Sequence, residues 1–147
     1  MPLKGIPVSI TPELLYALAK MGHGDSIVIA DANFPSDSVA SHCIIKTPVR
    51  VSGSTSSILK DILNLLPLDA YHPSGIFVMD RVQPDKDRGL VVPAYEAIAT
   101  VTEVDVSSGL SYVERFDFYE KAKTAFCVVQ TDDRTLYANV IVCKGVV

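Results

Sequence analysis

The amino-acid sequence predicts an α/β fold: a single three-layer domain with a mainly parallel sheet, helices on both faces and a hairpin at the carboxyl end. Segments whose apolar residues recur at helical spacing alternate with short runs of apolar and β-branched residues, and this alternation is typical of α/β proteins. The 147 residues are enough for one hydrophobic core, and no linker or internal repeat divides them. We therefore expect residues 1–147 to form one domain.

Composition and charge narrow the class of protein. With 48% hydrophobic residues, the chain is too apolar to be disordered. A formal net charge of -4 argues against nucleic acid or an anionic membrane surface as the main partner. No apolar run approaches the roughly 18–20 residues of a membrane span, and the first residues lack the layout of a signal peptide. The sequence therefore predicts a cytoplasmic protein.

The three cysteines are interpreted as reduced thiols. Cys43, Cys127 and Cys143 are odd in number and far apart, and no CxxC motif is present. These features favour buried thiols over a disulfide, a zinc site or a nucleophile. The histidines also lack the spacing of metal ligands, so we expect no metal.

The first helix and the first strand have clear signals. Thr11 suits the N-cap, Pro12 the first helical position, and Glu13 interacts favourably with the helix dipole. The apolar positions at helical spacing and the glycine that caps them are Leu14, Leu15, Leu18, Met21 and Gly22. A strand over residues 26–30 follows, and Asp31 emerges at its carboxyl end, where open α/β sheets usually bind ligands.

The middle of the chain predicts a helix between shorter elements. Two short strands are expected at residues 42–45 and 49–51. A turn and cap signal at residues 53–57 opens an amphipathic helix that ends before Pro67. Residues 75–80 are apolar enough for a buried strand.

The last part of the chain predicts five further elements and one exposed loop. The charged segment 81–93, with Pro84 and Gly89, is interpreted as that loop. The elements expected after it are a helix over 94–104, a strand over 112–116, a helix over 117–126, and a hairpin of strands 127–131 and 136–143.

His23 is the first candidate for chemistry. It lies between Gly22 and Gly24, which free the backbone to aim the imidazole, and histidine titrates near neutrality, which suits proton transfer. The alternative is a helix stop followed by a turn. His23 and Asp31 are expected at opposite ends of one strand, so contact between subunits is one way in which they can share a site.

Four other residues stand out from the packing pattern. Tyr137 and Asn139 share one face of the last strand, and asparagine in an apolar strand needs a ligand or a polar partner, which the neighbouring backbone can also supply. Arg115 and Tyr119 lie four residues apart at a junction between a strand and a helix. Arg115 can equally form a surface ion pair, and Tyr119 can pack by its ring at the rim.

Several well-known motifs are absent. The sequence has no GxGxxG, P-loop, GxSxG or HExxH motif, which argues against nucleotide-binding, serine hydrolase and metalloprotease classes. The residues that remain, His, Tyr, Asp, Asn and Arg, move protons and bind hydroxyl groups without a cofactor. Such a set suits acid–base chemistry on a small polyhydroxylated molecule.

Several separate motifs, in order, resemble the fucose mutarotase and ribose pyranase family, and most closely its animal branch. Those motifs are Pro12–Leu15, Met21–Asp25, Asp31–Pro35, Leu66–Asp69, Glu114–Ala122, Tyr137–Asn139 and Lys144–Val146. The likeness spans nearly the whole chain, although residues 37–57 and 81–109 match poorly.

The resemblance implies a cofactor-independent isomerase that interconverts the α and β anomers of L-fucose, with exchange between pyranose and furanose forms of ribose as a further reaction. His23 matches the family's proton donor, and Tyr119 matches a tyrosine involved in proton transfer in the animal branch. The positions that match substrate-binding residues are Asp31, Asp69, Met79, Arg115, Tyr137 and Asn139. The family forms homo-oligomers in which neighbouring subunits complete each site.

Two alternatives remain open from the sequence. A sugar-binding or regulatory module on the same fold would bind fucose tightly without raising anomer exchange above the spontaneous rate. A structural oligomer would show neither binding nor exchange. The presence of proton-transfer residues beside hydroxyl-binding residues favours the enzyme.

Overall fold

The computed structural model describes residues 3–71 and 75–147. The helices are α1 Pro12–Lys20, α2 Ser36–Ala40, α3 Thr55–Leu63, α4 Gln83–Asp87, α5 Pro93–Thr102 and α6 Arg115–Ala122. The strands are β1 Ser26–Ala30, β2 Val49–Arg50, β3 Ile76–Met79, β4 Ser111–Val113, β5 Cys127–Gln130 and β6 Val140–Cys143. No helix within these described ranges is both long enough and apolar enough to cross a membrane.

Helix α1 begins where the sequence predicts. The Thr11 hydroxyl accepts a hydrogen bond from the backbone N–H of Leu14, and Pro12 occupies the first helical position. Ala17 and Leu18 are buried on the face that points to the sheet. The helix therefore ends next to the strand that it precedes, and the loop that contains His23 joins the two.

The six strands of the described residues form one mixed sheet in the order β2-β5-β1-β6-β3-β4. Strands β2, β5 and β1 pair in parallel, as do β3 and β4. Strand β6 lies antiparallel to both β1 and β3. Five strands thus run in one direction and β6 runs against them, which confirms the prediction of a mainly parallel sheet.

The predicted carboxyl-terminal hairpin is wrong. Strands β5 and β6 do not pair with each other, because β1 lies between them and bonds to both. The turn residues Asp132 and Asp133 instead accept hydrogen bonds from the backbone N–H groups of Gly53 and Thr55 at the start of α3. The segment between the two strands therefore crosses the end of the sheet and does not close a tight turn.

Other differences concern the edges of elements. Residues 42–45 form turns and bends, not a strand, and the segment predicted as a loop contains α4. Helix α6 begins at Arg115, two residues earlier than predicted, because the Glu114 carboxylate accepts hydrogen bonds from the backbone N–H groups of Phe116 and Asp117. That cap also ends β4 before the predicted boundary.

Two cores, one on each face of the sheet, confirm the three-layer arrangement. On one face Ile27 and Ile29 of β1 pack with residues from α1, α3 and α5. On the other face Val28 and Ala30 pack with residues from α2 and α6. Strand β1 is therefore buried on both sides and surrounded by neighbours, so its two ends are the places where its flanking polar residues can meet other elements.

Candidate functional site

Polar residues converge at the edge of the sheet where β1 and β3 end and where β6 begins. Asp31 follows the last residue of β1, Asn139 precedes the first residue of β6, and Met79 is the last residue of β3. Since β6 runs antiparallel to β1 and β3, its start meets their ends. Arg115, at the first position of α6, comes to the same edge.

Asp31 and Asn139 are held together in the interior. The Asn139 side-chain oxygen accepts a hydrogen bond from the Asp31 backbone N–H at 2.8 Å, and its amide donates to the Asp31 carboxylate at 3.1 Å. The other Asp31 oxygen accepts a bond from the backbone N–H of Asn33 at 3.0 Å. Both residues are almost fully buried, at 4% and 3% exposure. The prediction that Asn139 needs a polar partner is confirmed, and Asp31 is that partner. The prediction that Asn139 shares a face of the last strand with Tyr137 is wrong, because β6 begins at Val140.

Burial changes the acidity of this carboxyl group. Removal from water raises the pKa of Asp31, although its hydrogen bonds from Asn33 and Asn139 oppose the shift. A carboxyl group with a raised pKa holds its proton to a higher pH than an exposed one. Its carboxylate form can therefore accept a hydrogen bond from a hydroxyl group, and its protonated form can donate one.

Arg115 and Tyr119 form a second pair across one turn of α6. The Arg115 guanidinium donates from Nε to the Tyr119 hydroxyl at 3.2 Å. The Tyr119 ring packs edge-on against Phe34 at 5.6 Å between centroids, so the ring is fixed and its hydroxyl faces the pocket. Among the residues that the structure describes, Arg115 forms no surface ion pair, which was the alternative for it, and its hydrogen-bond partner is the Tyr119 phenol.

Tyr137 closes a third side of the pocket. Its φ of 58° is left-handed, a conformation that residues other than glycine seldom adopt. Its hydroxyl donates to the Asp85 carboxylate at 2.5 Å and accepts from the Val82 backbone N–H at 3.1 Å. Burial and the hydrogen bond to Asp85 raise the pKa of Tyr137, while that bond lowers the pKa of Asp85.

These side chains surround a cavity of about 290 Å³, which is close to the lower size of small-molecule sites. Six of the eight predicted site residues line it: Asp31, Met79, Arg115, Tyr119, Tyr137 and Asn139. Three larger clefts among the described residues, of about 570, 590 and 380 Å³, contain none of the eight. The cavity is therefore the candidate site, and its lining combines the donors of Arg115 with the acceptors of Asp31 and Asn139.

The other two predicted site residues lie at the far end of β1. The His23 imidazole Nε2 is 3.4 Å from the Asp69 carboxylate, and its ring packs against Tyr71. Strand β1 separates this pair from Asp31 by about 17 Å, at 3.3 Å per residue. The structure therefore confirms the expectation that His23 and Asp31 lie at opposite ends of one strand.

The His23 side chain is open to its surroundings. It is 47% exposed, whereas Asp69 is 11% exposed. The Asp69 backbone N–H donates to Cys143 at the end of β6, which fixes the segment that carries the carboxylate. Asp69 can therefore orient the half-exposed imidazole.

No group of His, Cys, Asp or Glu that could hold a metal ion occurs among residues 3–71 and 75–147. His72 lies outside these described residues. Cys43 and Cys127 are buried and Cys143 is half-buried, as the sequence predicts for structural thiols.

The sequence missed several residues that line the cavity. Phe34 and Asn33 belong to a motif that carried the family resemblance, and that motif was the available signal. Asp85 and Val82 fall within the segment predicted to be an exposed loop. Nothing in their local sequence indicates a site, because Tyr137, which brings them to the cavity, is 52 residues away from Asp85.

The fold and the cavity define a single-domain α/β protein with a pocket for a small hydroxylated ligand, lined by groups that can exchange protons. The chain belongs to the RbsD / FucU transport protein family, whose sequence model matches residues 4–147.

Individual proteins are similar to this chain in sequence and in structure. The chain is 47% identical to the fucose mutarotase of Mus musculus over 145 residues, which covers 97% of this chain and 94% of the mouse protein. The crystal structure of FucU from Bifidobacterium longum aligns with a TM-score of 0.87 at 42% identity, covering 98% of this chain and 99% of that one. The fucose mutarotase from Streptococcus pneumoniae, solved in complex with L-fucose, aligns at 0.84 with 38% identity and 99% coverage of both chains.

Proposed function

We propose that this protein is a fucose mutarotase, which interconverts the α and β anomers of L-fucose. The observation that carries the proposal is the cavity in which Asp31, Asn139, Arg115, Tyr119 and Tyr137 combine hydroxyl-binding groups with a phenol. Its volume of about 290 Å³ suits a monosaccharide. Relatives that cover nearly the whole chain carry the same activity in their names.

The reaction needs one proton donor and one proton acceptor. Protonation of the ring oxygen and loss of the anomeric hydroxyl proton open the sugar ring to an aldehyde. Rotation of the carbonyl group and closure on its other face then give the second anomer. No carbon changes oxidation state, and each acid–base group contributes about 10²–10⁴-fold to the rate.

The roles follow the chemistry of each side chain. We assign the proton-donor role to His23, oriented by Asp69, and the partner role to the Tyr119 phenol. Arg115 acts as a donor to sugar oxygens, as the geometry of a guanidinium requires.

The remaining lining residues bind the sugar. Asp31 and Asn139 bind sugar hydroxyl groups, and Tyr137 offers its hydroxyl and its ring. Met79 supplies an apolar wall beside them.

His23 lies at the end of β1 that is remote from the cavity of its own chain, and we propose a homo-oligomer in which a neighbouring subunit supplies His23 to each site. The support is the distance of about 17 Å between the two ends of β1 within one chain, together with the exposure of the His23 side chain at 47%. Free thiols at three positions also support a location in the reducing cytoplasm.

Exchange NMR on the anomeric protons of L-fucose tests the activity directly. We expect the protein to accelerate exchange between the two anomers, and His23→Ala to reduce this acceleration about 10²-fold or more. His42→Ala is the matched control, because His42 is also exposed and bonds only locally to Ser38 and Ser41.

The same measurement separates the alternatives. If the folded wild type binds fucose without accelerating exchange, the protein is a binding module. If His23→Ala keeps full activity, the assignment of the proton donor is wrong. Parallel runs with D-ribose and D-glucose define the sugar preference.

A mixing experiment tests whether sites are shared. We expect His23→Ala and Tyr119→Phe subunits to be strongly impaired alone, and we expect activity to return when they are unfolded and reassembled together. Random assembly completes about one quarter of the sites if neighbours supply the two residues. No recovery in assembled mixtures would show that each chain uses its own His23.

A further inference from the structure

Asp85 is the charged residue of the cavity that the proposed mechanism does not use. It lies in α4, and its carboxylate accepts a hydrogen bond from the Tyr137 hydroxyl at 2.5 Å. Its other oxygen accepts a bond from Arg88 Nε at 2.9 Å. Both carboxylate oxygens are thus engaged, and the side chain is only 18% exposed.

This contact determines what the Tyr137 hydroxyl can offer a ligand. A phenol has one proton to donate and two lone pairs that accept. The proton goes to Asp85, and the Val82 backbone N–H occupies one lone pair. The hydroxyl is therefore left with one acceptor position and no donor.

Arg115 offers a ligand the reverse kind of hydrogen bond. Arg115 donates and cannot accept, and it lines the same cavity as Tyr137 and Asp85. A ligand group beside Arg115 must therefore accept, and a ligand group beside Tyr137 must donate. A sugar hydroxyl meets both requirements, whereas an ether oxygen meets only the first.

Backbone geometry indicates that Tyr137 is held in place by its contacts. Its φ of 58° is unfavourable for a side chain with a Cβ. Strain of this kind persists only where surrounding contacts fix it, and the hydroxyl contacts with Asp85 and Val82 are available to do so. The simpler reading, an α4 surface ion pair between Asp85 and Arg88, does not account for the contact with Tyr137.

We propose that Asp85 is a positioning residue of the cavity, which holds the Tyr137 hydroxyl as an acceptor for a donating hydroxyl of the sugar. The inference rests on the proposed function for the identity of the sugar. It assigns α4 a role in specificity, since α4 carries the residue that orients Tyr137.

Kinetics of L-fucose exchange test the role. We expect Asp85→Ala to raise KM about tenfold with kcat within about twofold of the wild type, because the lost interaction serves binding. Asp85→Asn keeps an acceptor for the Tyr137 proton, so it should restore KM. Asp87→Ala is the matched control, since Asp87 is an exposed aspartate of the same helix.

The double variant shows whether Asp85 acts through Tyr137. Asp85→Ala combined with Tyr137→Phe should raise KM no more than Tyr137→Phe alone, because both changes remove the same interaction. Additive effects would overturn the proposal, as would an Asp85→Ala variant whose KM matches that of Asp87→Ala.

A measurement without sugar keeps this proposal separate from the proposed function. Tyrosines labelled with ¹³C at Cζ report the titration of each phenol by NMR, and Tyr137→Phe assigns the signal. We expect Asp85→Asn to lower the pKa of Tyr137, because the variant removes the adjacent negative charge. An unchanged titration would overturn the positioning role, whereas absence of anomer exchange in the wild type would overturn only the proposed function.

Discussion

Asp31 and Asn139 bond to each other twice, although 108 residues of chain separate them. One bond joins the Asp31 backbone to the Asn139 side chain, and the other joins the two side chains. The pair links the end of β1 to the start of β6, the two central strands of the sheet. It therefore makes the cavity floor part of the folded core, so the stability of the fold and the geometry of the site depend on the same two residues.

Loss of the Asn139 amide should lower the stability of the fold and disturb the geometry of the site. Asn139→Ala leaves a buried backbone N–H and a buried carboxylate without their partner, which costs about 1–3 kcal/mol. We expect the free energy of unfolding to decrease by this amount, as measured by urea denaturation. We also expect weaker binding of L-fucose. Asn64→Ala, at an exposed helix end, should change stability by less than about 0.5 kcal/mol, and an equal loss in both variants would contradict the argument.

The raised pKa of Asp31 predicts a dependence of stability on pH. Its folded pKa lies above the ordinary value of 3.8, so the folded state binds the proton more tightly than the unfolded chain. The free energy of unfolding contributed by Asp31 therefore falls as the pH rises from 3.8 through the folded pKa.

Comparison with Asp31→Asn isolates this effect, because all other titrating groups occur in both proteins. We expect the difference in unfolding free energy to move in favour of the wild type as the pH is lowered from about 7 to about 4. Urea denaturation at several pH values measures it. A difference that stays constant over this range would mean that burial does not shift this carboxyl group.

The Tyr119 hydroxyl should matter for rate and not for folding. Tyr119→Phe keeps the ring against Phe34 but removes the oxygen that accepts from Arg115. We expect kcat for anomer exchange to fall about 10²–10⁴-fold, with the free energy of unfolding within about 1 kcal/mol of the wild type. Tyr16→Phe, at an exposed position of α1, should leave the rate unchanged; a fall in both variants would argue against a specific role.

Gly145 should be intolerant of any side chain. A Cβ at this position would lie 2.3 Å from the Leu68 carbonyl oxygen, so the backbone next to Asp69 would have to move. We expect Gly145→Ala to lower the free energy of unfolding by about 1–3 kcal/mol. It should also reduce anomer exchange, because the Asp69 carboxylate, 3.4 Å from His23 Nε2, would be displaced.

Gly22→Ala is the control for this substitution. Its Cβ would meet only the Asp25 carboxylate at 3.7 Å, an ordinary contact. Thermal unfolding should show a much smaller change than for Gly145→Ala. If the two alanine variants are equally stable, the close approach of the backbone at Leu68 is not limiting.

Local signals made part of this fold predictable. The Thr11 cap defines the start of the first helix, and the order of helix, loop and strand places His23 and Asp31 at the two ends of one strand, as the structure confirms. The predicted glycine cap is wrong, because Met21 ends the helix in extended backbone and Gly22 does not adopt a left-handed conformation. Local signals do not predict the order of strands in the sheet. Insertion of β1 between β5 and β6 depends on contacts between distant segments, and two apolar strands joined by a turn resemble a hairpin whether or not they pair.

The site residues also differ in whether local sequence signals could predict them. Six of the eight predicted residues meet in the cavity because they flank strands and a helix whose ends converge. Asp85 was not predicted because its neighbours in sequence are charged and exposed, and only the Tyr137 hydroxyl connects it to the site. A residue that enters a site through one tertiary contact has no local signature.

The central position of β1 has a consequence for synthesis of the chain. Its partners, β5 and β6, are made about one hundred residues later, so contacts of this range form slowly and late. Until then the apolar segment Ile27–Ala30 has two unpaired edges, which makes it prone to aggregation. Asp25 and Asp31 flank that segment, and charges at such positions oppose aggregation. We therefore expect the Asp31 carboxylate, which lines the cavity of the folded protein, to limit aggregation of the nascent strand as well.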